Sequence, residues 1–185
     1  MMQLHFHPFP ELETERLLLR KLTQQDAAAI FFLRSDKKVM EFIDREPAVS
    51  IREAEEFIDT INFNSDNGNS ILWGIAFKEH PSELIGTICY WQIQPQHYRS
   101  EIGYMLHPHH WRKGIMKEAL LKVIDYGFQT MKLHSIEARI NAANTASTAI
   151  LLSTGFRQEA YFKEDCFFRG KFMDTIVYSL IRENP

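Results

Sequence analysis

Between Glu101 and Leu120 the sequence reads EIGYMLHPHHWRKGIMKEAL: a strand-like apolar run ends in a basic turn with one glycine, which opens a long amphipathic helix. Strand, turn and helix in this order build an anion site from backbone. The first N–H groups of a helix have no intrahelical partner, and the aligned peptide dipoles favour negative charge there. Arg112, Lys113, Gly114, Ile115 and Met116 are therefore placed to present amides to a diphosphate, and Gly114 lets the ligand come close. The turn is neither a G-x-x-x-x-G-K-[ST] loop nor a G-x-G-x-x-G fingerprint.

Composition bounds what surrounds this turn. A chain of 185 residues, 45% hydrophobic and 12% aromatic, supports a full core in about one domain, expected over residues 1–185. A net charge of -3 gives no basic face for nucleic acid or a membrane surface, so neither partner is expected. No apolar run approaches the roughly 18 residues of a membrane span, and Met1–Pro10 lacks a cationic start followed by an apolar core. A cytoplasmic location is expected. Cys89 and Cys166 form no C-x-x-C pair, and Cys89 falls in an apolar strand pattern, which predicts a buried core residue. The histidines His5, His7, His107, His109 and His110 come without matching carboxylate or cysteine spacing, so no metal is expected.

Periodicity orders the elements. Glu15–Leu22 reads as a strand, Thr23 with Asp26 as a helix start, and Ala27–Leu33 as its apolar face. Ser50 and Glu53 form a capping box before a helix carrying Ala54, Phe57, Ile58 and Ile61 at spacings of three and four, and Asn62–Ser70 reads as a polar turn. Three strands follow over Ile71–Lys78, Leu84–Ile93 and Arg99–Leu106, separated by short turns as in an antiparallel meander. Next come a helix with the stripe Ala119, Leu120, Val123, Ile124, Gly127, Phe128 and Met131, a fifth strand over Ser135–Ile140, and a helix over Asn144–Thr154. Two strands, one through Phe162 and one over Phe172–Ile181, end the chain. This order predicts one α/β (α+β) domain, a mixed and mostly antiparallel sheet flanked by helices.

Several motifs resemble those of the GNAT superfamily of N-acetyltransferases, over nearly the whole chain from Glu11 to Arg182. Trp111-Arg-Lys-Gly114-Ile-Met116 with Glu118-Ala119 resembles the diphosphate signature of the branch that acetylates ribosomal-protein N-termini. Asn144-Thr-Ala-Ser147, followed by Leu151 and Gly155-Phe156, resembles its Asn-x-x-Ser and Leu-x-x-x-Gly-Phe segments, and Gly170 to Leu180 resembles its ending. The resemblance implies a V-shaped cleft where a bulged fourth strand splays from the fifth, with acetyl-CoA as co-substrate. It implies backbone contacts from Met105, Leu106 and His107, and contacts from Asn144 and Ser147. Asn144 is equally well read as a helix N-cap.

The same resemblance implies an acetyltransferase whose second substrate is a primary amine, on a protein N-terminus or a small molecule. Transfer needs a deprotonated nitrogen, a polarised thioester carbonyl and a thiolate able to leave. Glu101 is the candidate base; read from the sequence alone it is equally an exposed strand residue. Ser147 is the candidate acid, because Leu151 stands where many relatives carry a tyrosine. An amide near Leu106 would face the thioester oxygen. The early helices and a loop over Tyr161–Arg169 are expected to line the acceptor pocket, where Arg34, Arg45 and Arg169 are candidates to meet an anionic substrate. A CoA-binding regulator without turnover and a phosphate-ligand module of another fold remain open alternatives.

Overall fold

Alternating apolar residues on the central strands bury both faces of one sheet. The computed structural model describes Met2 and residues 4–182; the other five positions of the expected 1–185 domain lie outside the described residues. In chain order the elements are β1 (Leu12–Glu13), β2 (Leu17–Arg20), α1 (Ala27–Ser35), α2 (Ile51–Asp66), β3 (Ile71–Phe77), β4 (Gly86–Gln94) and β5 (Arg99–Leu106). There follow α3 (Ile115–Gln129), β6 (Ser135–Asn141), α4 (Thr145–Ser153), β7 (Arg157–Phe168) and β8 (Lys171–Ile181). The sheet order is β1-β2-β3-β4-β5-β6-β8-β7, antiparallel except for β5 beside β6. The expected α/β class and mixed sheet are what the chain adopts.

On one face Trp73, Ile75, Ile88, Tyr90 and Ile102 pack with Ile115, Ala119, Leu120 and Val123 of α3. On the other, Leu72 and Leu84 meet Ile30 and Leu33 of α1 and Ala54 and Ile58 of α2. Each fully buried aliphatic side chain contributes about 1.5–3 kcal/mol, so the helical stripes suffice to dock both layers. Tyr90 also donates its hydroxyl to the Val123 carbonyl at 2.9 Å. Gly127 permits that approach, since a Cβ there would lie 2.4 Å from the Tyr90 hydroxyl oxygen.

Four expectations are corrected. The first strand is shorter than expected, Leu17–Arg20, and a further two-residue strand, Leu12–Glu13, precedes it, because Thr14 turns the chain: its N–H donates to Leu17 O at 3.0 Å and its hydroxyl accepts from Leu17 N–H at 2.9 Å. The polar stretch from Asn62 continues α2 to Asp66, held by the Asn62 amide on Leu22 O at 3.2 Å and by burial of Ser65. Tyr161–Arg169 is not a loop. It is most of a strand in a long β7–β8 hairpin, whose turn at Arg169-Gly170 has φ of 50° and 77°, the twist that suits a two-residue hairpin. The bulge expected on the fourth strand lies instead on its neighbour: Trp91 to Gln94 of β4 spans only Glu101 to Arg99 of β5, and Gln92 takes φ 46° to absorb the extra residue.

Candidate active site

The cleft begins where the parallel pairing stops. β5 and β6 match through Arg99–Ser135, Ser100–Ile136 and Glu101–Glu137, and no pair follows. Beyond Glu101 the two strands part, as expected of the fourth and fifth. His107 N–H donates to Ile85 O at 2.8 Å, which fixes the alternation of amides along β5. Met105 and His107 therefore turn their N–H groups toward β4, whereas Tyr104 and Leu106 turn theirs toward the cleft. Of the three residues expected to bind through backbone, only Leu106 aims its amide there. The His107 ring is engaged too: it stacks on Phe32 at 4.4 Å and its Nδ1 accepts from His109 N–H at 3.2 Å.

The turn after β5 is held open by side chains. Trp111 donates its indole N–H to Leu106 O at 2.8 Å and so closes the strand end. Arg112 and Gly114 adopt left-handed φ of 59° and 75°. A Cβ on Gly114 would meet only Arg16 Nη2, at 3.6 Å, so glycine is required there by backbone conformation and the space in front is open. The first helical bond is Glu118 N–H to Gly114 O at 3.0 Å, which leaves the amides of Ile115, Met116 and Lys117 without intrahelical partners. Ile115 and Met116 bury their side chains in the core while their backbone forms the helix mouth. Glu118 fixes this end of α3: it accepts from Arg16 N–H at 2.9 Å, Arg16 Nε at 2.7 Å and the Thr14 hydroxyl at 2.5 Å. That role was missed from the sequence, although Glu118 stood inside the quoted motif.

Glu101 lies at the vertex, 8% exposed. Directly opposite in the register is Trp91, and Cys89 faces Gly103, so these side chains share one sheet face with Glu101. This is the face that α1 and α2 cover. Burial pushes the Glu101 carboxyl up to about 7, with Arg139 and the Trp91 indole N–H working the other way. Trp91 is a second residue that sequence reasoning missed, because its place opposite Glu101 depends on the register.

Tyr104 points to the opposite face and meets α4. Its hydroxyl is buried without a hydrogen-bond partner of good geometry, and burial pushes it up to about 12, the neighbouring Ser147 hydroxyl opposing. Ser147 thus neighbours the Tyr104 hydroxyl. Asn144 caps α4, its Oδ1 accepting from Ser147 N–H at 3.0 Å, which leaves its amide donors for a ligand. Leu151 is fully buried in the α3-side core, so the usual tyrosine position serves packing here. Asp174 accepts from Glu164 N–H at 2.8 Å and from the Tyr161 hydroxyl, and Tyr178 is buried; both are structural. Among the described residues no cluster of three histidine, cysteine, aspartate or glutamate side chains has metal-binding geometry, and no helix is long and apolar enough to cross a membrane.

The donor set suits an extended arm rich in amides that ends in a diphosphate: an open strand-edge amide at Leu106, carboxamide donors at Asn144 and a helix mouth behind a left-handed glycine. Comparison with known proteins agrees. The acetyltransferase (GNAT) domain family matches residues 16–157. The uncharacterised N-acetyltransferase YoaA of Bacillus subtilis is 39% identical over 174 residues, covering 94% of this chain and 98% of that protein. The ribosomal-protein-serine acetyltransferase of Escherichia coli is 32% identical over 107 residues, 58% of this chain and 59% of that one. The crystal structure of a GNAT-family acetyltransferase from Bacillus anthracis superposes with a TM-score of 0.81 at 27% identity, over 93% of this chain and 98% of that one. With its motifs resembling the ribosomal-protein branch, the chain belongs to the GNAT family of acetyl-CoA-dependent acetyltransferases.

Proposed function

We propose that the protein moves the acetyl group of acetyl-CoA to a primary amine, on a small molecule or a protein N-terminus, by direct attack of the amine. The observation that carries this reading is Glu101: a nearly buried carboxylate at the vertex of the cleft, raised to about 7, on the sheet face below α1 and α2. A base with a pKa near the working pH combines a useful ionised fraction with enough basicity to accept an ammonium proton.

The other residues divide the remaining tasks. The Leu106 amide supports the reading as the donor that polarises the thioester carbonyl, because it faces the cleft and needs no reorganisation to act. The helix mouth of Ile115–Lys117, with Arg112, Lys113 and Gly114 before it, holds the diphosphate; Asn144 holds an amide of the arm. Ser147 gives a proton to the departing sulfur, and the neighbouring Tyr104 hydroxyl, whose burial keeps it protonated, is placed to resupply it. The proton taken by Glu101 leaves toward solvent past Trp91, which is 42% exposed.

A panel of primary amines with acetyl-CoA, read by free thiol and by mass of the product, tests this. Turnover with any primary amine, giving one thiol per N-acetyl product, is the expected result. Tight CoA binding with no turnover across amino acids, polyamines and peptides would favour the regulator of the same fold.

A further inference from the structure

The three arginines that the sequence offered to an anionic substrate differ in the structure. Arg169 is already paired, its Nη2 lying 2.6 Å from Glu46 on the surface. Arg34 is not. It sits in the last turn of α1 with its guanidinium 4.0 Å above the Phe57 ring of α2, and its Nε and Nη1 are buried with no acceptor among the described residues. Glu53 of α2, whose charge acts on Arg34, is engaged at the helix start: its Oε2 accepts from Val49 N–H at 3.1 Å.

A second guanidinium, Arg45, stands near Arg34. Burial and then the Arg45 charge lower Arg34 to about 10, whereas Arg45 itself is exposed on the connection between α1 and α2. The unsatisfied donors of Arg34 and the nearby Arg45 charge oppose folding unless an anion meets them. The groups that face Arg45 are Asp44 and Cys89. Asp44, whose charge acts on Arg45, accepts from the Cys166 thiol through its Oδ2 at 3.3 Å.

Their place in the fold gives the pair a use. Arg45 acts on Cys89, and Cys89 lies against Gly103 on the strand face that carries Glu101. Phe32 of α1 stacks on His107 at the end of β5, so the helix that carries Arg34 lies over the same face. Planar guanidiniums braced on an aromatic ring are well suited to carboxylate and phosphate.

We propose that the amine acceptor carries an anionic group, a carboxylate or a phosphate, which docks on Arg34 and Arg45 and leaves the amine facing Glu101. This rests on the acetyl-transfer reading of the site, and it selects acidic amines over polyamines, whose charge the two arginines repel.

The test compares ω-amino acids from glycine to aminohexanoate with their primary amides, O-phosphoethanolamine with ethanolamine, and spermidine, all by CoA release from acetyl-CoA. At least one carboxylate or phosphate acceptor should exceed its neutral counterpart in kcat/KM by about 10- to 100-fold, the range of a charge-assisted hydrogen bond. The better pair of the two series identifies which anion is read. Arg34→Gln should erase that preference by raising KM for the anionic acceptor, leaving the neutral one unchanged. The same variant should melt no lower than the wild type, since it removes a buried unpaired charge; a structural arginine would give a loss. Calorimetry of the N-acetylated products in the presence of CoA gives the same comparison without turnover. Equal use of acids and amides, a preference for spermidine, or retention of the anion preference in both Arg34→Gln and Arg45→Gln overturns the proposal while leaving acetyl transfer intact. Absence of CoA binding overturns both.

Discussion

Replacing Glu101 by Gln should make the protein more stable and less active, and the size of both effects follows from burial. Moving a carboxyl from its ordinary 4.5 to about 7 costs the ionised form up to about 3 kcal/mol, at about 1.4 kcal/mol per pH unit. Because the folded pKa is raised, folding binds the proton more tightly than the unfolded chain does. The penalty is absent below about pH 4.5, grows as pH rises, and levels off above about pH 7. Solvent at the rim screens part of it, so about 1–3 kcal/mol is expected at pH 8. Glutamine keeps the shape and never ionises. For a chain of this length each kcal/mol moves Tm by about 2–4 °C, so Glu101→Gln should melt roughly 2–12 °C above wild type at pH 8, with most of the gain gone by pH 5. Its kcat/KM should fall about 100- to 10,000-fold at neutral pH, and the wild-type limb near pH 7 should vanish. Calorimetric melts across pH 5–8, with pH–rate profiles of both proteins, measure this. A variant that melts no higher at pH 8 and keeps the wild-type limb would show that Glu101 is an ordinary strand residue.

Gly114→Val should remove the acetyl-CoA-induced rise in Tm and destabilise the free protein by about 1–2 kcal/mol, since φ is 75° there while the surrounding space is open; unchanged acetyl-CoA binding would move the diphosphate elsewhere. Ser147→Ala should lower kcat about 10- to 1,000-fold with little change in acetyl-CoA affinity, and Tyr104→Phe should lower it by a smaller factor; loss of affinity alone in Ser147→Ala would make that serine a binding contact. Cys89, half-buried under α1 and α2 with its thiol pushed up to about 12, should react more slowly than Cys166 with a thiol reagent at pH 8, and equally fast labelling of both would contradict the packing of that face.

What could be read from the sequence was what periodicity and local chemistry control. The meander from Ile71, the α3 stripe and the glycine turn are all local signals, and each lies where those signals put it. Register is different. Trp91 faces Glu101, and the bulge falls on β4, because one extra residue near Gln92 is absorbed between two strands whose separate patterns look regular. The two closing strands were expected, but their extension into one long β7–β8 hairpin escaped notice for a related reason. Phe162, Phe167 and Phe172 remain exposed in a stretch without regular apolar alternation, so the usual burial signature of a strand is missing and the two positive-φ residues at its turn carry the information. At the site, the sequence supplied Glu101, Ser147 and the helix mouth, whereas the amide direction of Met105, Leu106 and His107 follows only once Ile85 is known to take His107 N–H. The contrast between a paired Arg169 and an unpaired Arg34 is likewise tertiary.

The most direct measurement is a single turnover of the wild-type protein with one equivalent of acetyl-CoA and an excess of the best amine from the panel, quenched over time. Free CoA thiol and N-acetylated amine should appear together at one rate, with the intact protein mass unchanged throughout. Thiol release ahead of product with a transient acetyl adduct on the protein would contradict direct attack by the amine in the cleft between β5 and β6.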